Sequence, residues 1–180
     1  THALLLCGPE GSGKSHLGHI WAQRAGAAIL PAGSLNAQAS AAMRGNCLIE
    51  DIENASDARA LLHAFNASRE NGGSLLLTSL LPVRQLPFAL PDLVSRLLAS
   101  TQAAIAAPDD AVLAAAMRKQ FADRQMKVDE EVIAYIVPRM ERSLSNVKAL
   151  VGRIDTAAMA ERKNLTIPFV KGLITVKTEE

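Results

Sequence analysis

The stretch LLLCGPEGSGKSHLGHI, residues 4–20, decides the fold of this chain. Its apolar run predicts a buried strand at 3–7, and after a glycine-rich turn the pattern predicts a helix at 14–25. The apolar residues expected on the inner face of this helix are Leu17, Ile20, Trp21 and Ala25. The turn matches G-x-x-x-x-G-K-[ST] at every defined position, and a strand before it and a helix after it are the context in which that motif is meaningful. The sequence therefore predicts a phosphate-binding loop.

The residue types in this loop suit a nucleotide. Glycines let successive N–H groups turn toward one phosphate, and the N-terminus of a helix adds partial positive charge. Lys14 would reach the outer phosphates, and the Ser15 hydroxyl would ligate Mg²⁺. We therefore expect ATP or ADP with Mg²⁺ as the cofactor. The candidate binding residues of the loop are Gly8, Pro9, Glu10, Gly11, Ser12, Gly13, Lys14, Ser15 and His16.

Polar side chains end the next two apolar strands. Residues 47–52, CLIEDI, predict a buried strand that finishes in carboxylates, and ligands bind at the carboxyl ends of strands in open parallel sheets. Glu50 and Asp51 are therefore the candidate acidic partners of the loop, with Glu50 as a ligand of Mg²⁺. The following strand ends in Thr78 and Ser79, either of which would bring a hydroxyl near the γ-phosphate.

The pattern of elements changes near Pro108. Before it, strands, including expected ones at 27–30 and 102–107, alternate with helices, one of them capped by Ser56. This alternation predicts a parallel sheet of five strands flanked by helices, an α/β fold. After Pro108, helices without strands are expected at 109–123, 129–141, 145–162 with Ser145 as the cap, and briefly from Pro168.

We therefore predict an α/β nucleotide-binding domain at 1–108 and a small all-helical lid domain at 109–180. Because the first strand begins only two residues into the chain, we also expect further residues upstream of Thr1.

Composition narrows the class of protein. The chain has 180 residues, 49% hydrophobic but only 3% aromatic, and a net charge of +1, which argues against binding nucleic acid through bulk electrostatics alone. Its two cysteines lie in apolar runs and predict buried thiols rather than a disulfide framework or a metal site. No run of 18 apolar residues occurs, so we expect no membrane span and a cytoplasmic protein.

The order of these motifs resembles the DnaA/Hda family of AAA+ proteins, closest to Hda-type regulators of replication initiation. The similarity extends from Leu4 to about Ile174. Its most specific parts are the helix that carries Phe65 and Asn66 and the Ser-Asn-Val step at 145–147. The segments that carry it are the glycine loop (Walker A), LIEDIE, LLHAFNASRENGGSLLLTS, LPDLVSRL and SNVKALVGRI. The resemblance implies an AAA+ sheet followed by a helical lid.

The resemblance also assigns roles by position. Glu50 and Asp51 fall on the Walker B pair, and Ser79 lies at or beside sensor 1. Lys148 takes the sensor 2 position. Arg96 in DLVSRL matches the arginine finger, whose guanidinium stabilises the charge on a phosphate held by a neighbouring subunit.

Three departures from the family pattern weaken hydrolysis in cis more than binding. Glu50 stands where an aspartate is usual, and Leu80 stands where DnaA has an acidic residue. Lys148 replaces the usual arginine and cannot make its bidentate contact. The sequence therefore predicts a nucleotide sensor that is at most a weak ATPase in cis.

By resemblance, the expected partners are DnaA and the sliding clamp, with hydrolysis of ATP on DnaA stimulated in trans. Residues 31–46 contain a single basic residue, Arg44, so little or no direct DNA binding is expected. The sequence does not decide whether the protein forms a nucleotide-dependent homo-oligomer. The alternatives are a helicase-loader-type AAA+ adaptor, a DnaA-like initiator fragment and a free-standing P-loop nucleotide kinase.

Overall fold

The computed structural model describes residues 2–161 and 163–174. The chain divides into two compact units between Ala106 and Ala107, close to Pro108, where the sequence pattern changes. Residues 162 and 175–180, which the sequence analysis assigned to the lid, lie outside the described residues.

The first unit is an α/β sheet with helices. Its strands are β1 (Ala3–Cys7), β2 (Ala28–Pro31), β3 (Cys47–Glu50), β4 (Leu75–Ser79) and β5 (Thr101–Ala104). Its helices are α1 (Lys14–Ala25), α2 (Ala37–Ala42), α3 (Ala58–Glu70) and α4 (Pro91–Ala99). The strands form one parallel sheet in the order β2-β3-β4-β1-β5, so the predicted fold class is confirmed.

The two faces of the sheet carry separate apolar clusters because successive side chains of a strand point to opposite faces. Leu5 of β1 pairs in register with Leu77 of β4, and both belong to the larger cluster, which α3 and α4 cover. Leu6 and Leu48 belong to a smaller cluster on the other face, against which Trp21 of α1 packs. Because β1 lies between β4 and β5, the loop that follows it lies at the carboxyl edge of an interior strand.

The inner face of α1 differs from the prediction. Gly18 and Ala22 are buried, whereas Leu17 is 49% exposed and Ile20 is 38% exposed. A Cβ at Gly18 would lie 3.0 Å from a methyl group of Leu48, so the helix backbone approaches the sheet closely. Small residues, rather than large apolar ones, form this contact.

Three further boundaries were predicted wrongly. β3 ends at Glu50 because Asp51 has φ 55°, a left-handed conformation that cannot continue a strand, and a short 3₁₀ turn follows. α3 is capped by Asp57 rather than Ser56: the Asp57 carboxylate accepts the N–H groups of residues 59 and 60 at 2.8 and 3.1 Å. β5 also ends three residues earlier than expected.

The second unit consists of helices in the residues described. They are α5 (Asp110–Asp123), α6 (Glu130–Ile136), α7 (Leu144–Glu161) and α8 (Ile167–Ile174). Their apolar core is built around Met117, Phe121 and Ile154, each with no exposed surface. The ring of Tyr135, the only tyrosine of the chain, lies under the Arg139 guanidinium at 4.0 Å.

The helices of this unit also correct two predictions. α6 is shorter than expected because a 3₁₀ turn with Pro138 follows it, and proline has no N–H to donate to the helix. The Ser143 hydroxyl, not that of Ser145, accepts the N–H of Asn146 at 3.0 Å at the start of α7. Across the described ranges of both units, no helix combines the length and apolar character that crossing a membrane requires.

Candidate nucleotide-binding site

Glycines shape the loop between β1 and α1. Gly11 and Gly13 have φ values of 68° and 99°, in the region that side-chain-bearing residues rarely adopt. A Cβ on Gly8 would lie 2.3 Å from the carbonyl oxygen of Ile105, so this position has no room for a side chain. α1 then begins at Lys14 without a side-chain cap, which leaves its first N–H groups to face an anion.

Lys14 and Ser12 are the buried polar residues of the loop. Lys14 is 6% exposed, and its ammonium donates to the carbonyl oxygens of Gly8 at 2.8 Å and Pro9 at 2.9 Å. The Ser12 hydroxyl is buried and has no hydrogen-bond partner among the residues the structure describes. Leaving a buried hydroxyl unpaired is costly, and a phosphate oxygen would satisfy it. The loop therefore fits a phosphate group.

The remaining loop residues are open to solvent. Pro9, Glu10, Ser15 and His16 are all exposed. In residues 2–161 and 163–174, no group of three His, Cys, Asp or Glu side chains could hold a metal ion. A magnesium ion at Ser15 and Glu50 would therefore need phosphate oxygens to complete its coordination, as is usual for Mg²⁺. These assignments stay predictions.

Glu50 contacts the helix that follows the loop. The Glu50 side chain is 17% exposed, and its Oε2 lies 3.1 Å from Nε2 of His19 on α1. This contact fixes the carboxylate at the end of β3 against the first turns of α1. To ligate a metal through this oxygen, Glu50 would have to give up or share its contact with His19.

Asp51 follows Glu50 in a strained backbone conformation and a partly desolvated position. Burial raises the pKa of Asp51 above its ordinary value, and neighbouring carboxylates raise it further. In decreasing order of effect, these carboxylates belong to Glu53, Glu50 and Glu10. The positive charge of Lys14 lowers the pKa of Asp51, and its effect is smaller than that of Glu50 and larger than that of Glu10. A group that gains a proton readily beside a nucleotide is a candidate for accepting one from water.

Of the two hydroxyls that end β4, Thr78 is the one that contacts the acidic strand. Its Oγ1 accepts the N–H of Asp51 at 3.0 Å and is fully buried. Ser79 is also fully buried, but its hydroxyl accepts the N–H of Leu81 at 3.0 Å and so shapes the turn after β4. The choice of Ser79 for the sensor 1 role stays a prediction, and Thr78 is the better-connected alternative.

Glu53 joins the same network. Its Oε1 accepts the N–H of Leu80 at 3.0 Å, while its Oε2 is buried with no partner among the described residues. This carboxylate therefore ties the turn after β3 to the turn after β4. Leu80 itself is 42% exposed. Sequence reasoning did not single out Glu53, although LIEDIE contains it; only its distance from Leu80 reveals the role.

Arg96 lies far from the loop. It lies in the last turn of α4 and lines a cleft of about 390 Å³, which His2 and Ala3, at the start of β1, also line. Five strand residues separate this end of β1 from the loop, a distance of roughly 15 Å. Within the described ranges no carboxylate pairs with the Arg96 guanidinium, and Arg69 of α3 lines the same cleft. Sequence reasoning did not identify Arg69.

Lys148 belongs to the helical unit. It is exposed on the first part of α7, next to Val147, which is buried in the apolar core of that unit. Its sensor 2 role stays a prediction.

Two kinds of comparison relate this chain to known proteins. Residues 109–174 match the sequence family described as the Hda lid domain. The whole chain is similar in fold to domain III of the replication initiation protein DnaA from Thermotoga maritima, with a TM-score of 0.80 at 19% identity, covering 97% of this chain and 83% of that one.

Other solved structures show the same fold. A replication initiator DnaA bound to AMPPCP and single-stranded DNA matches with a TM-score of 0.70 at 18% identity, covering 89% of this chain and 58% of that one. A RuvB mutant from Thermotoga maritima matches with a TM-score of 0.78 at 16% identity, covering 97% of this chain and 62% of that one. The chain thus spans about three fifths of these two proteins.

Proposed function

We propose that this chain, an AAA+ protein of the DnaA/Hda type by its fold and its lid sequence, is a nucleotide-binding regulator of replication initiation. In this proposal it holds ATP or ADP with Mg²⁺ in the loop at residues 8–15. With the sliding clamp as a further partner, it supplies Arg96 to the ATP held by a neighbouring DnaA subunit and so stimulates its hydrolysis.

The observation that carries the proposal is the position of Arg96. Arg96 lines a cleft at the start of β1, roughly 15 Å of strand from the chain's own phosphate loop, so it is badly placed to act in cis. It has no carboxylate partner in the residues described, which leaves its planar fork available for a phosphate. A neighbouring subunit's nucleotide is the phosphate that this geometry suits.

The chain's own site supports binding more than turnover. Lys14, Ser12 and the glycines fit a phosphate, whereas Glu50 is held by His19 and the residue after Ser79 is an exposed leucine. In the proposal Lys148 reaches the nucleotide from the lid. The bound nucleotide then acts chiefly as a signal, with at most weak hydrolysis in cis.

The test is hydrolysis of DnaA-bound ATP in the presence of DNA-loaded clamp. We expect the full-length wild-type protein to accelerate it, and Arg96→Ala to reduce the acceleration by at least a thousandfold, the scale of an arginine finger. Arg59→Ala is the matched control, since Arg59 is an exposed arginine in the first turn of α3 and does not line the cleft of Arg96.

Nucleotide affinity of each variant is measured in parallel, and Arg96→Ala is expected to bind ADP as the wild type does. If Arg96→Ala still accelerates hydrolysis fully, the role in trans is wrong. If the wild type does not accelerate it, the regulatory function is wrong.

A further inference from the structure

The cleft beside Arg96 contains a second arginine that the proposed function does not use. Arg69 lies in the last turn of α3 and Arg96 in the last turn of α4, and both line one cleft of about 390 Å³. The other lining residues are His2, Ala3, Phe65, Ala99 and Ser100. None of the residues that line this cleft is acidic, so two guanidinium groups share it without a counter-charge.

Ring contacts and hydrogen bonds connect the walls of the cleft. His2 packs edge-on against the ring of Phe65 with centroids 4.7 Å apart, and its Nε2 lies 3.3 Å from the carbonyl oxygen of Phe65. The Ser100 hydroxyl donates to the carbonyl oxygen of Arg96 at 2.9 Å, which fixes the end of α4. The two arginines therefore project from backbones that are held in place, as a preformed site requires.

A structural role for both arginines is the competing explanation. Cations near helix C-termini are favoured by the helix dipole, and this effect needs no ligand. It does not explain why the last turns of two neighbouring helices bring both cations to the same cleft, where like charges repel each other. An anion that accepts hydrogen bonds from both forks would relieve this repulsion, and phosphate has the geometry for it.

We propose that this cleft is a two-arginine phosphate site, in which Arg69 binds beside Arg96 to the terminal phosphates of a nucleotide held by a neighbouring AAA+ subunit. Arg69 contacts the phosphates in the ground state and strengthens binding of the neighbour, while Arg96 acts in the reaction. This rests on the proposed function for the identity of the neighbour, but the anion site itself does not depend on it.

The first experiment tests the anion site alone. The full chain is saturated with excess ADP and Mg²⁺ so that the loop at residues 8–15 is filled, and tripolyphosphate is titrated while the arginine Nε–Hε signals are followed by NMR. We expect the signals of Arg69 and Arg96 to shift together and to saturate. Arg69→Met and Arg96→Met should each weaken binding about tenfold or more, the scale of a lost charged hydrogen bond.

Arg59→Met is the matched control on the same helix and should bind tripolyphosphate as the wild type does. Arg69→Lys keeps the charge and the favourable interaction with the helix end, but it loses the fork, so it should fold normally and bind with intermediate affinity. If Arg69→Met and Arg69→Lys both bind like the wild type, the site is wrong and Arg69 serves the helix end only.

The second experiment uses the hydrolysis assay with DnaA. Arg69→Met should raise the concentration needed for half-maximal stimulation about tenfold and should change the maximal rate much less than Arg96→Ala does. An unchanged half-maximal concentration would overturn the contact with the neighbour's nucleotide. A wild type that binds tripolyphosphate at both arginines but stimulates no hydrolysis would leave the anion site standing and overturn the proposed function.

Discussion

The two ends of the sheet differ in the partners that they give to their charged side chains. At the carboxyl end, the Lys14 ammonium bonds to carbonyl oxygens of its own loop, and the Glu50 carboxylate contacts His19. At the amino end, Arg69 and Arg96 face a cleft that offers them no carboxylate. Lys14 and Glu50 thus have partners within the chain, whereas the residues that line the cleft give the two arginines no counter-charge. In our proposals the first end holds a ligand and the second end acts on a partner.

The largest expected effect is a loss of nucleotide affinity at the carboxyl end of the sheet. Lys14→Ala removes a buried ammonium that would bind the phosphates, so nucleotide affinity should fall roughly 10- to 100-fold. Affinity is measured by calorimetric titration with ADP and Mg²⁺, with Lys119→Ala in the lid as a control for an exposed lysine. Tripolyphosphate binding at the arginine cleft should survive in Lys14→Ala. Loss of both would show that the two ends are not separate sites.

Gly8→Ala tests the rigid packing of the loop. Its new methyl group would lie 2.3 Å from the Ile105 carbonyl oxygen, so the loop must move, at a cost of about 1–3 kcal/mol in the free energy of unfolding. Gly152→Ala is the opposite case: no atom lies within 4 Å of the new group in the middle of α7, so it should stabilise the protein by about 0.5–1 kcal/mol. Urea denaturation measures both. Equal effects would contradict the packing of Gly8 against Ile105.

A smaller effect concerns the charge of Asp51. Its pKa is raised in the folded state, so the folded protein binds more protons than the unfolded chain just above pH 3.8, and stability falls as the pH rises through that window. Asp51→Asn removes this penalty while tolerating the left-handed backbone, so without Mg²⁺ or nucleotide it should raise the denaturation midpoint at pH 7.

The gain from Asp51→Asn should shrink toward zero below about pH 3, where the aspartate is protonated in both states. Asp123→Asn, at an exposed ion pair in the lid, should shift the midpoint little at either pH. A gain from Asp51→Asn that is the same at pH 3 and pH 7 would show that charge is not its cause.

The smallest effect concerns Cys47, at the amino end of the sheet. Cys47 begins β3 with 1% of its surface exposed, and burial raises the pKa of its thiol to about 11. At pH 8 only about 0.1% of it would be thiolate, so it should resist iodoacetamide in the native protein. Mass spectrometry after labelling, with a urea-unfolded sample as the control, measures this. Rapid native labelling of Cys47 would mean that the amino end of the sheet opens readily.

The sequence predicted the strand and the helix on either side of the phosphate loop because their signal is local. β1 and α1 have the bounds expected from the apolar run and the glycine motif, and the loop between them needs no distant residue to be recognised. The amino end could not be predicted in this way. Arg69 and Arg96 lie on different helices, and only the packing of those helices brings the arginines together.

The wrong details also have physical causes. Periodicity assumes that large apolar residues face inward, but α1 approaches Leu48 too closely for that, so Gly18 is buried and Leu17 is not. The strand at CLIEDI seemed to continue through Asp51 because no apolar pattern encodes a left-handed φ. A cap such as Asp57 depends on two short-range hydrogen bonds, which a neighbouring polar residue in the sequence could equally make.

The only tryptophan and the only tyrosine of the chain lie in different compact units. Its only tryptophan, Trp21, packs against the smaller cluster of the α/β unit, and its only tyrosine, Tyr135, lies under Arg139 in the helical unit. Tryptophan fluorescence therefore reports on the α/β unit, and the NMR ring signals of Tyr135 report on the helical unit. A single denaturation of the unmodified protein, followed by both signals, would show whether the units unfold together or in turn.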